Sequence, residues 1–481
     1  TIGVFLNPGQ DPTKPTRPRK FNNRSLEYDS LGDRYTRFLL EEVLPIVESK
    51  YNLSKDPKQR AIGGSSSGAI CAFTVAWNRP DQFGRVYSNV VSFTNLRGGN
   101  VYPAWIRKTE PKPIRVYMSD TSGDIDNPFG SWPWANQRVA SALRYMGYDL
   151  RFDWAEGYAH NADFGSMQFP EAMKWLWRDE VHVSNVDTSD DLRSDFTLLD
   201  LLVKGEQWEV VADGLGFADA TCTDGRGTFF FCDMRAPAVY RIDPTDLKRT
   251  LIAKEAVSGL MLGPDGRLYG CQGKASRVIA IDIETGEVTV VATDVKPNDL
   301  AVGSDGTIYI TETRAQPITR LDPDSGKKTV VDRGLVRPNG IAFSRDGGTL
   351  AVSDSGSKNA WTFRVDPGGR LDAKMPTMTL RLPIDPKGEF AFHEPPPYKP
   401  ASRGDGMAVD RSGRYYITSE LGIQIFDPTE RFCGLLPKPD PSQPLTSCVL
   451  GDVSAAEPDY QYLYVTNGNQ VLRRKLKVLR D

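Results

Sequence analysis

A serine framed by glycines is the first feature of the chain that could do chemistry. Gly64-Ser-Ser-Ser-Gly68 follows a short apolar run and precedes an apolar stretch long enough for a helix. A serine on a sharp turn from a strand into a helix is the geometry of a nucleophile elbow. The pattern predicts Ser66 as a nucleophile for acyl transfer, with the backbone N–H of Ser67 as an oxyanion donor.

An acid and a histidine follow this serine in the chain. A predicted strand over 114–118 leads into an acidic loop, and a second strand over 148–154 ends in Glu156-Gly-Tyr-Ala-His160. In α/β hydrolases the acid and the histidine lie on loops after late strands, in the order Ser, acid, His. We expect Asp124 and His160 to complete a triad with Ser66, with Asp126 and Asp120 as alternatives for the acid.

Oxygen-bearing side chains recur in the second half of the chain. Short turns, half of them Asp-Gly, recur about every forty residues at first, near residues 226, 265, 305, 346, 412 and 459, and most are followed by an aromatic or aliphatic strand. Seven residues before each turn stands a polar residue: Asp219, Ser258, Asn298, Asn339, Asp405 and Asp452. Oxygen ligands without Cys or His favour Ca²⁺ or Mg²⁺.

The elements that would position these side chains are four strands per repeat, the pattern of a β-propeller. Six copies predict six blades, whose innermost strands would bring the six polar residues to one depth of a central channel. The strand at 208–212 is expected to complete the last blade beside strands 462–477 and to close the ring. The proline- and glycine-rich stretch 382–402 is predicted to be a loop insertion after blade four.

The fold class predicted for the whole chain is multidomain, a truncated α/β-hydrolase followed by an all-β six-bladed propeller. The boundaries are 1–180 for the hydrolase, 181–205 for a linker and 206–481 for the propeller. Residues 1–6 are predicted to form a buried strand, and 30–50 and 134–146 to form helices. Because a domain rarely begins inside a strand, we expect an N-terminally incomplete chain, with a secretory or periplasmic signal in the missing part.

Three motifs of the second half resemble the senescence-marker-protein/gluconolactonase/luciferin-regenerating-enzyme family over about residues 206–478: Lys296-Pro-Asn-Asp-Leu300, Arg337-Pro-Asn-Gly-Ile341 and Gly404-Asp-Gly-Met407. The resemblance implies one divalent cation in the channel, commonly Ca²⁺, on a Glu, two Asn and an Asp. The Asn positions fall on Asn298 and Asn339 and the Asp on Asp405. The Glu position falls on Asp219, which is one methylene shorter. Mg²⁺, Mn²⁺ and Zn²⁺ are alternatives.

The same resemblance implies opening of a sugar or related lactone, with Asp405 as the general base. Asp452 is the second choice for the base because it shares the phase of the ring. Gln272, Glu312 and Arg403 are candidates for contacts with substrate hydroxyls.

The first half resembles the esterase-D/enterochelin-esterase group, which is related to feruloyl and acetyl-xylan esterases. The resemblance lies in Gly64-Ser-Ser-Ser-Gly68, Thr121-Ser-Gly-Asp124, Trp132-Pro-Trp-Ala-Asn-Gln137, Glu156-Gly-Tyr-Ala-His160 and Trp175-Leu-Trp-Arg178. It implies hydrolysis of carboxylic, feruloyl or acetyl esters through Ser66, His160 and Asp124. In that group the first strands and one oxyanion donor lie upstream of the position that Thr1 occupies.

Composition bounds the remaining choices. A net charge of -3 over 481 residues gives no nucleic-acid-binding surface, and no apolar run reaches the length of a membrane span. Six cysteines are too few for a disulfide framework, although Cys433 and Cys448 could pair across a proline-rich loop.

Three functions stay open: a metal-dependent lactonase, a serine esterase with the propeller as a binding module, and a calcium-stabilised binding scaffold. The expected partner is a small lactone or ester of carbohydrate origin.

Overall fold

The computed structural model describes residues 2–9, 24–161, 163–179, 182, 198–225, 227–383, 401–453 and 456–478. These residues form two compact units, the first ending before residues 183–197 and the second beginning after them.

The N-terminal unit is a layered α/β structure. Its four parallel strands are β1 (Ala61–Ser65), β2 (Arg85–Asn89), β3 (Arg115–Gly123) and β6 (Asp149–Ala159), in the order β1-β2-β3-β6, with a small hairpin of β4 (Asp126–Asn127) and β5 (Gly130–Ser131). The helices are α1 (Arg24–Tyr28), α2 (Arg34–Arg37), a π-helical turn (Phe38–Val43), α3 (Leu44–Glu48), α4 (Ser67–Asn78), α5 (Tyr102–Arg107), α6 (Trp132–Tyr145) and α7 (Asp163–Leu176), with 3₁₀ turns at Pro57–Gln59 and Gly99–Val101. The α/β class predicted from the sequence is confirmed.

Helix α4 is the central support of this unit. All but one of its residues from Ser67 to Trp77 are buried, which explains why the sequence there is apolar on every face. Phe73 at its middle packs edge-on against Phe93 and Tyr102. Since α4 begins directly after β1, this packing fixes the turn on which Ser66 lies.

Two sequence predictions for this unit need correction. Residues 2–6 form no strand and are exposed, with Phe5 96% accessible. An apolar run is compatible with a strand, but a strand also needs a partner edge for its backbone groups. The helix predicted over 30–50 is a chain of short segments between Arg34 and Glu48, interrupted by the π-helical turn.

The C-terminal unit is a six-bladed β-propeller, as predicted. Blade one contains β8 (Ala218–Thr223), β9 (Phe229–Asp233), β10 (Ala238–Ile242) and β11 (Arg249–Ala253); blade two contains β12 (Leu260–Leu262), β13 (Arg267–Gln272), β14 (Arg277–Asp282) and β15 (Val288–Thr293); blade three contains β16 (Asp299–Val302), β17 (Ile308–Thr311), β18 (Ile318–Leu321) and β19 (Lys328–Asp332). Blade four contains β20 (Pro338–Phe343), β21 (Thr349–Asp354), β22 (Asn359–Val365) and β23 (Leu371–Thr379); blade five contains β24 (Met407–Val409), β25 (Tyr415–Ser419), β26 (Gly422–Phe426) and β27 (Phe432–Pro437); blade six contains β28 (Leu445–Asp452), β29 (Tyr460–Asn467), β30 (Gln470–Lys477) and β7 (Glu209–Ala212).

The ring closes at blade six. Strand β7, from the start of the unit, pairs antiparallel with β30 from its end, which confirms the closure predicted for the strand at 208–212. The rings of Phe229 in blade one and Tyr464 in blade six stack with their centroids 4.4 Å apart. Closure removes the free sheet edge that an open array of blades would leave.

Helix α8 (Leu198–Leu201) belongs to the propeller unit, although it falls inside the predicted linker 181–205. Leu198 and Leu201 pack in a cluster with Leu436 and Leu476. Most of the predicted loop insertion 382–402, including His393, lies outside the described residues.

All six cysteines are buried and free, so Cys433 and Cys448 form no disulfide. Within the described ranges, no helix combines the length and apolar character needed to cross a membrane.

Candidate active sites

The predicted nucleophile lies on a strained turn between β1 and α4. Ser66 has φ 58° and ψ -120°, a region that non-glycine residues rarely occupy. The turn is possible because Gly64 has no side chain: a Cβ there would lie 2.5 Å from the backbone carbonyl of Gly68. The buried helix behind the turn maintains this strained conformation. The conformation directs the side chain of Ser66 outward, as in a nucleophile elbow.

The three predicted triad residues come together in the fold. His160 Nε2 is 2.9 Å from Ser66 Oγ, and His160 Nδ1 is 2.5 Å from Asp124 Oδ1. Trp132 packs edge-on against the imidazole with ring centroids 5.9 Å apart. This is the arrangement in which a histidine can take a proton from a serine while a carboxylate holds its other nitrogen.

Asp124 is the acid of this arrangement, and its side chain is inaccessible to solvent. Burial by itself would raise the pKa of Asp124, but hydrogen bonds from His160, Asp120 and the N–H of Ile125 outweigh it and lower the pKa below its usual value. Asp126, one alternative acid, is exposed on β4. Asp120, the other, lies buried beside Asp124 and does not take its place.

One residue near the elbow was not anticipated from the sequence. Arg24 Nη1 donates to Ser67 Oγ at 2.9 Å, which brings a cation next to the predicted oxyanion donor. The two residues are far apart in sequence, and Arg24 stands in a basic, proline-rich stretch that gives no sign of this contact.

In the propeller, strand register defines which polar residues are equivalent. Leu260 pairs with Gly270, Leu300 with Ile310, Ile341 with Val352 and Met407 with Ile417, each pair joining the first and second strands of its blade. The predicted ring residues of blades two to five stand two positions before these paired residues: Ser258, Asn298, Asn339 and Asp405. Asp219 holds the same place in blade one, beside a β-bulge.

Hydrogen bonds between neighbouring blades hold this ring, which we call the channel ring. Ser258 Oγ donates to the carbonyl of Asn298 at 2.7 Å. Thr311 Oγ1 donates to the carbonyl of Asn339 at 2.5 Å, and Ser353 Oγ donates to that of Asp405 at 2.9 Å. The ring residues of blades three, four and five are therefore fixed through their backbones, which leaves their side chains available for a ligand.

The sixth ring position is Thr446, so the prediction of Asp452 is wrong. In blade six Cys448 pairs with Val465, which places Thr446 two positions earlier. Asp452 ends the eight-residue β28, at the opposite end of the strand, and pairs with Arg411. The connection to β29 covers residues 453–459 and is longer than in the other blades. Counting seven residues back from the turn therefore no longer reaches the channel-ring position.

Asp299 is a further carboxylate that the repeat pattern missed. It follows Asn298, where blades two, four and five have glycine: Gly259, Gly340 and Gly406. Its Oδ1 accepts from the N–H of Leu300 at 2.9 Å and its Oδ2 from that of Ile341 at 3.3 Å. A Cβ on Gly259 would lie 2.5 Å from Asp299 Oδ1, so the neighbouring glycine makes room for this carboxylate.

Three channel carboxylates influence one another. Burial raises the pKa of Asp219 to about 6, and burial together with the charge of Asp219 raises the pKa of Asp299 to about 7. Burial and both neighbouring carboxylates raise the pKa of Asp405 well above its usual value, while the guanidinium of Arg337 acts in the opposite direction. A concentration of negative charge of this kind is favourable only if protons or a cation compensate it.

The donor set fits a hard divalent cation. Asn339 Oδ1 is buried and has no hydrogen-bond donor among the described residues, which is costly for an amide oxygen unless it binds a ligand. Within the described ranges no three His, Cys, Asp or Glu side chains are grouped to hold a metal ion. The channel ring differs in kind from such a group, since it combines the carboxylates Asp219 and Asp405 with the amides Asn298 and Asn339, all oxygen donors of the type that Ca²⁺ prefers.

The predicted substrate-binding residues have other contacts. Gln272 Nε2 donates to Glu255 Oε2 at 2.6 Å, and Glu312 Oε2 accepts from the N–H of Lys296 at 2.9 Å. Both side chains are buried and hold the loop before the first strand of their own blade. Arg403 is exposed, has φ 51° and pairs with Glu420 at 2.9 Å. Contact of these three with a substrate stays a prediction.

Two family models match the chain. The SMP-30/Gluconolactonase/LRE-like region matches residues 219–469, more than half of the chain. The Esterase family matches residues 9–194. The two matches fall on the two units that the fold separates.

Individual proteins are similar to each part. A gluconolactonase of Zymomonas mobilis subsp. mobilis is 28% identical over 242 residues, which cover 46% of this chain and 63% of that protein. An endo-1,4-β-xylanase/feruloyl esterase of Xylanibacter ruminicola is 28% identical over 138 residues, which cover 28% of this chain and 17% of that protein. The chain thus spans less than two thirds of the length of either protein.

Among solved structures, a gluconolactonase from Xanthomonas campestris superposes with a TM-score of 0.48 at 20% sequence identity. The match covers 58% of this chain and 92% of that one.

Proposed function

The chain belongs to the SMP-30/Gluconolactonase/LRE-like family, and we propose that its propeller hydrolyses a lactone, with a sugar lactone or a related ring as substrate. The observation that carries this proposal is the channel ring, in which two amides and two carboxylates stand at equivalent positions of four blades. The buried, donor-free Oδ1 of Asn339 supports a ligand at this place.

Asp219, Asn298, Asn339 and Asp405 would hold one divalent cation, for which Ca²⁺ is the first choice and Mg²⁺, Mn²⁺ and Zn²⁺ are alternatives. When bound, such a cation polarises the lactone carbonyl and lowers the pKa of water. Asp219 is one methylene shorter than the Glu implied by the family resemblance. Asp299, next to Asn298, supplies additional negative charge toward a cation.

Asp405 is the proposed general base. Its carboxylate accepts the proton of the attacking water, which requires the ionised form. Burial and the neighbouring carboxylates oppose that form, whereas the guanidinium of Arg337 favours it. The hydrogen bond from Ser353 Oγ to the carbonyl of Asp405 fixes the backbone from which the base projects.

Chelation and a matched pair of variants test the lactonase proposal. EDTA is expected to abolish the opening of glucono-1,5-lactone, followed by acid release in a weakly buffered indicator assay. Asp405→Ala is expected to lower kcat by at least about 100-fold, the scale of losing a general base, while Asp452→Ala stays within about twofold of wild type. Full activity in EDTA, or equal activity of the two variants, would reject the proposal.

For the N-terminal unit we propose a second activity, hydrolysis of carboxylic esters such as acetyl or feruloyl esters. The observation that favours it is the continuous contact from Ser66 through His160 to Asp124, at 2.9 and 2.5 Å. Ser66 Oγ attacks the ester carbonyl as His160 Nε2 takes its proton, and His160 then returns that proton to the leaving alcohol. Water, deprotonated by His160, next attacks the acyl–Ser66 ester, which releases the acid and returns the proton to Ser66 Oγ. The N–H of Ser67, at the start of α4, faces the developing oxyanion.

Ser66→Ala tests this second activity. It is expected to reduce p-nitrophenyl acetate hydrolysis by at least about 1,000-fold, and Ser141→Ala, on the surface of α6, is the control that retains it. Lactone opening should survive Ser66→Ala, and ester hydrolysis should survive Asp405→Ala. A protein that binds Ca²⁺ but hydrolyses neither substrate would instead be a binding scaffold.

A further inference from the structure

Cations stand on the loops that lead into the first strands of blades three to five, two positions before the channel-ring residue of each blade. The residues at this level, which we call the mouth ring, run from blade one to blade six as Phe217, Ala256, Lys296, Arg337, Arg403 and Pro444. Three consecutive blades therefore carry a cation at equivalent places, and the other three carry none. The mouth ring has a cationic half and an apolar half.

Two of these cations, Lys296 and Arg337, are exposed, and neither forms a salt bridge with an acid in the described part of the chain. Arg403 pairs with Glu420, which is shared with Lys438 at 3.1 Å, so this small network keeps a net positive charge. Without an acidic partner, the side chains of Lys296 and Arg337 keep their hydrogen-bond donors available for an anionic ligand.

The surrounding surface has the same sign. The turns after the second strands of blades one, two and three present exposed cations at equivalent positions, Arg235, Lys274 and Arg314. The turns at the opposite end of blades one to five instead begin with an aspartate: Asp243, Asp282, Asp322, Asp366 and Asp427. The loops at this end also carry the acids Asp213, Glu255, Asp294 and Glu420, but only Glu420 pairs with a mouth-ring cation. The six cations named here therefore offer positive charge to an anion within the range of a Debye length.

We propose that the lactone opened in the channel carries an anionic group, a carboxylate or a phosphate, held by Lys296, Arg337 and Arg403. This substrate class rests on the proposed lactonase function. The ring carbonyl faces the channel ring, the anionic group faces the cations of blades three to five, and the carbon skeleton contacts Phe217, Ala256 and Pro444. A cation on the channel ring offsets the charges of Asp219 and Asp405, so the mouth ring stays available for the substrate.

Arginine supports this assignment in particular. Its planar guanidinium offers paired donors that match the two oxygens of a carboxylate or phosphate, and it stays charged at every working pH. A neutral lactone offers these donors only uncharged hydroxyl oxygens, so it gains less from them than an anionic lactone does. The proposal therefore predicts discrimination by charge.

Matched lactones test it. The carboxylate pair is D-glucaro-1,4-lactone against D-glucono-1,4-lactone, and the phosphate pair is glucono-1,5-lactone 6-phosphate against glucono-1,5-lactone. Wild type is expected to prefer the anionic member of at least one pair by about tenfold or more in kcat/KM, mainly through KM. The pair that shows the preference identifies the anion. The preference should shrink as salt rises from about 0.05 to 0.5 M because exposed charges are screened.

The variants Lys296→Gln and Arg337→Gln are each expected to reduce that preference by about fivefold or more, the loss of one charge-assisted contact. For both variants the readout is the ratio of kcat/KM between the anionic and the neutral member of a pair, because the loss of Arg337 also disfavours the ionised form of Asp405 and so lowers both rates. The control is Arg370→Gln, which removes an exposed cation at the opposite end of blade four. Equal rates on both members of each pair, or a preference unchanged by these variants, would overturn the proposal while the lactonase function stands. If no lactone is opened, the lactonase proposal fails and this one fails with it.

Discussion

The carboxyl group of Asp120 is fully buried beside the candidate triad. Its Oδ1 accepts from the N–H of Thr121 at 2.8 Å and its Oδ2 from Nδ2 of Asn136 at 2.7 Å. Burial and the adjacent Asp124 raise the pKa of Asp120 to about 8. Asp120 therefore keeps its proton to a higher pH than an ordinary carboxyl, and the protonated form can donate to Asp124, whose Oδ2 is buried and has no donor among the described residues.

This proton makes stability depend on pH. Because the folded-state pKa lies above the unfolded-state value of about 4, the folded protein keeps a proton that the unfolded chain releases. Stability falls as pH rises from about 4 to about 8, by at most about 1.4 kcal/mol per pH unit. Asp120→Asn keeps a neutral donor toward Asp124 without an ionisable group.

The variant Asp120→Asn is expected to lose less melting temperature than wild type between pH 5 and pH 8.5. The difference should be about 2–4 °C for each kcal/mol of free energy of unfolding recovered, measured by calorimetry or circular dichroism. Asp126→Asn, at an exposed position on β4, is the control that should follow wild type. Parallel pH profiles of Asp120→Asn and wild type would contradict a raised pKa for Asp120.

At the level of elements, each candidate site needs two backbone segments to approach each other closely at a glycine. The elbow needs β1 and α4 to approach at Gly64, where a Cβ has no room. The channel needs adjacent first strands to approach at Gly340, where a Cβ would meet the carbonyl of Asp405. In both places a glycine is required by the space available, and the candidate site residues Ser66 and Asn339 stand two residues and one residue away.

The two glycines of the elbow give a matched comparison. Gly64→Ala is expected to displace the turn and lower p-nitrophenyl acetate hydrolysis by at least about 100-fold, since a shift of about 1 Å at reacting atoms can cost that much. Gly68→Ala should be tolerated, because its Cβ meets nothing within 4 Å and alanine favours a helix. Circular dichroism would establish that both variants fold. Similar activity of the two would show that the close approach is not required.

At the scale of the whole molecule, the chain joins two units with separate candidate sites. The N-terminal unit carries an elbow and a triad, and the propeller carries an oxygen-rich channel with a cationic mouth. Each candidate site lies entirely within one unit, so variants of one site should leave the other activity intact. Both proposed reactions open an acyl–oxygen bond with water.

Local sequence is enough to specify much of this protein. Turn residues and strands of period two define hairpins locally, so their recurrence is enough to predict six blades and a closing strand at 208–212. The spacing of Gly64 and Gly68 is enough to predict Ser66 as the nucleophile. The order of Ser66, Asp124 and His160 along the chain matches the order in α/β hydrolases. Asn298, Asn339 and Asp405 lie next to regular hairpins, where distance along the chain is a reliable measure of register.

The remaining features come from the folded chain, because register and proximity depend on pairing between distant segments. The longer hairpin of blade six moves Thr446 into the channel ring and Asp452 to the opposite end of its strand. Asp299, Asp120 and Arg24 gain their roles from neighbours brought close by folding. The apolar run at 2–6 forms no strand, since alternating or apolar residues cannot supply a partner edge. The sixth member of the mouth ring, Pro444, likewise follows only from the register of blade six.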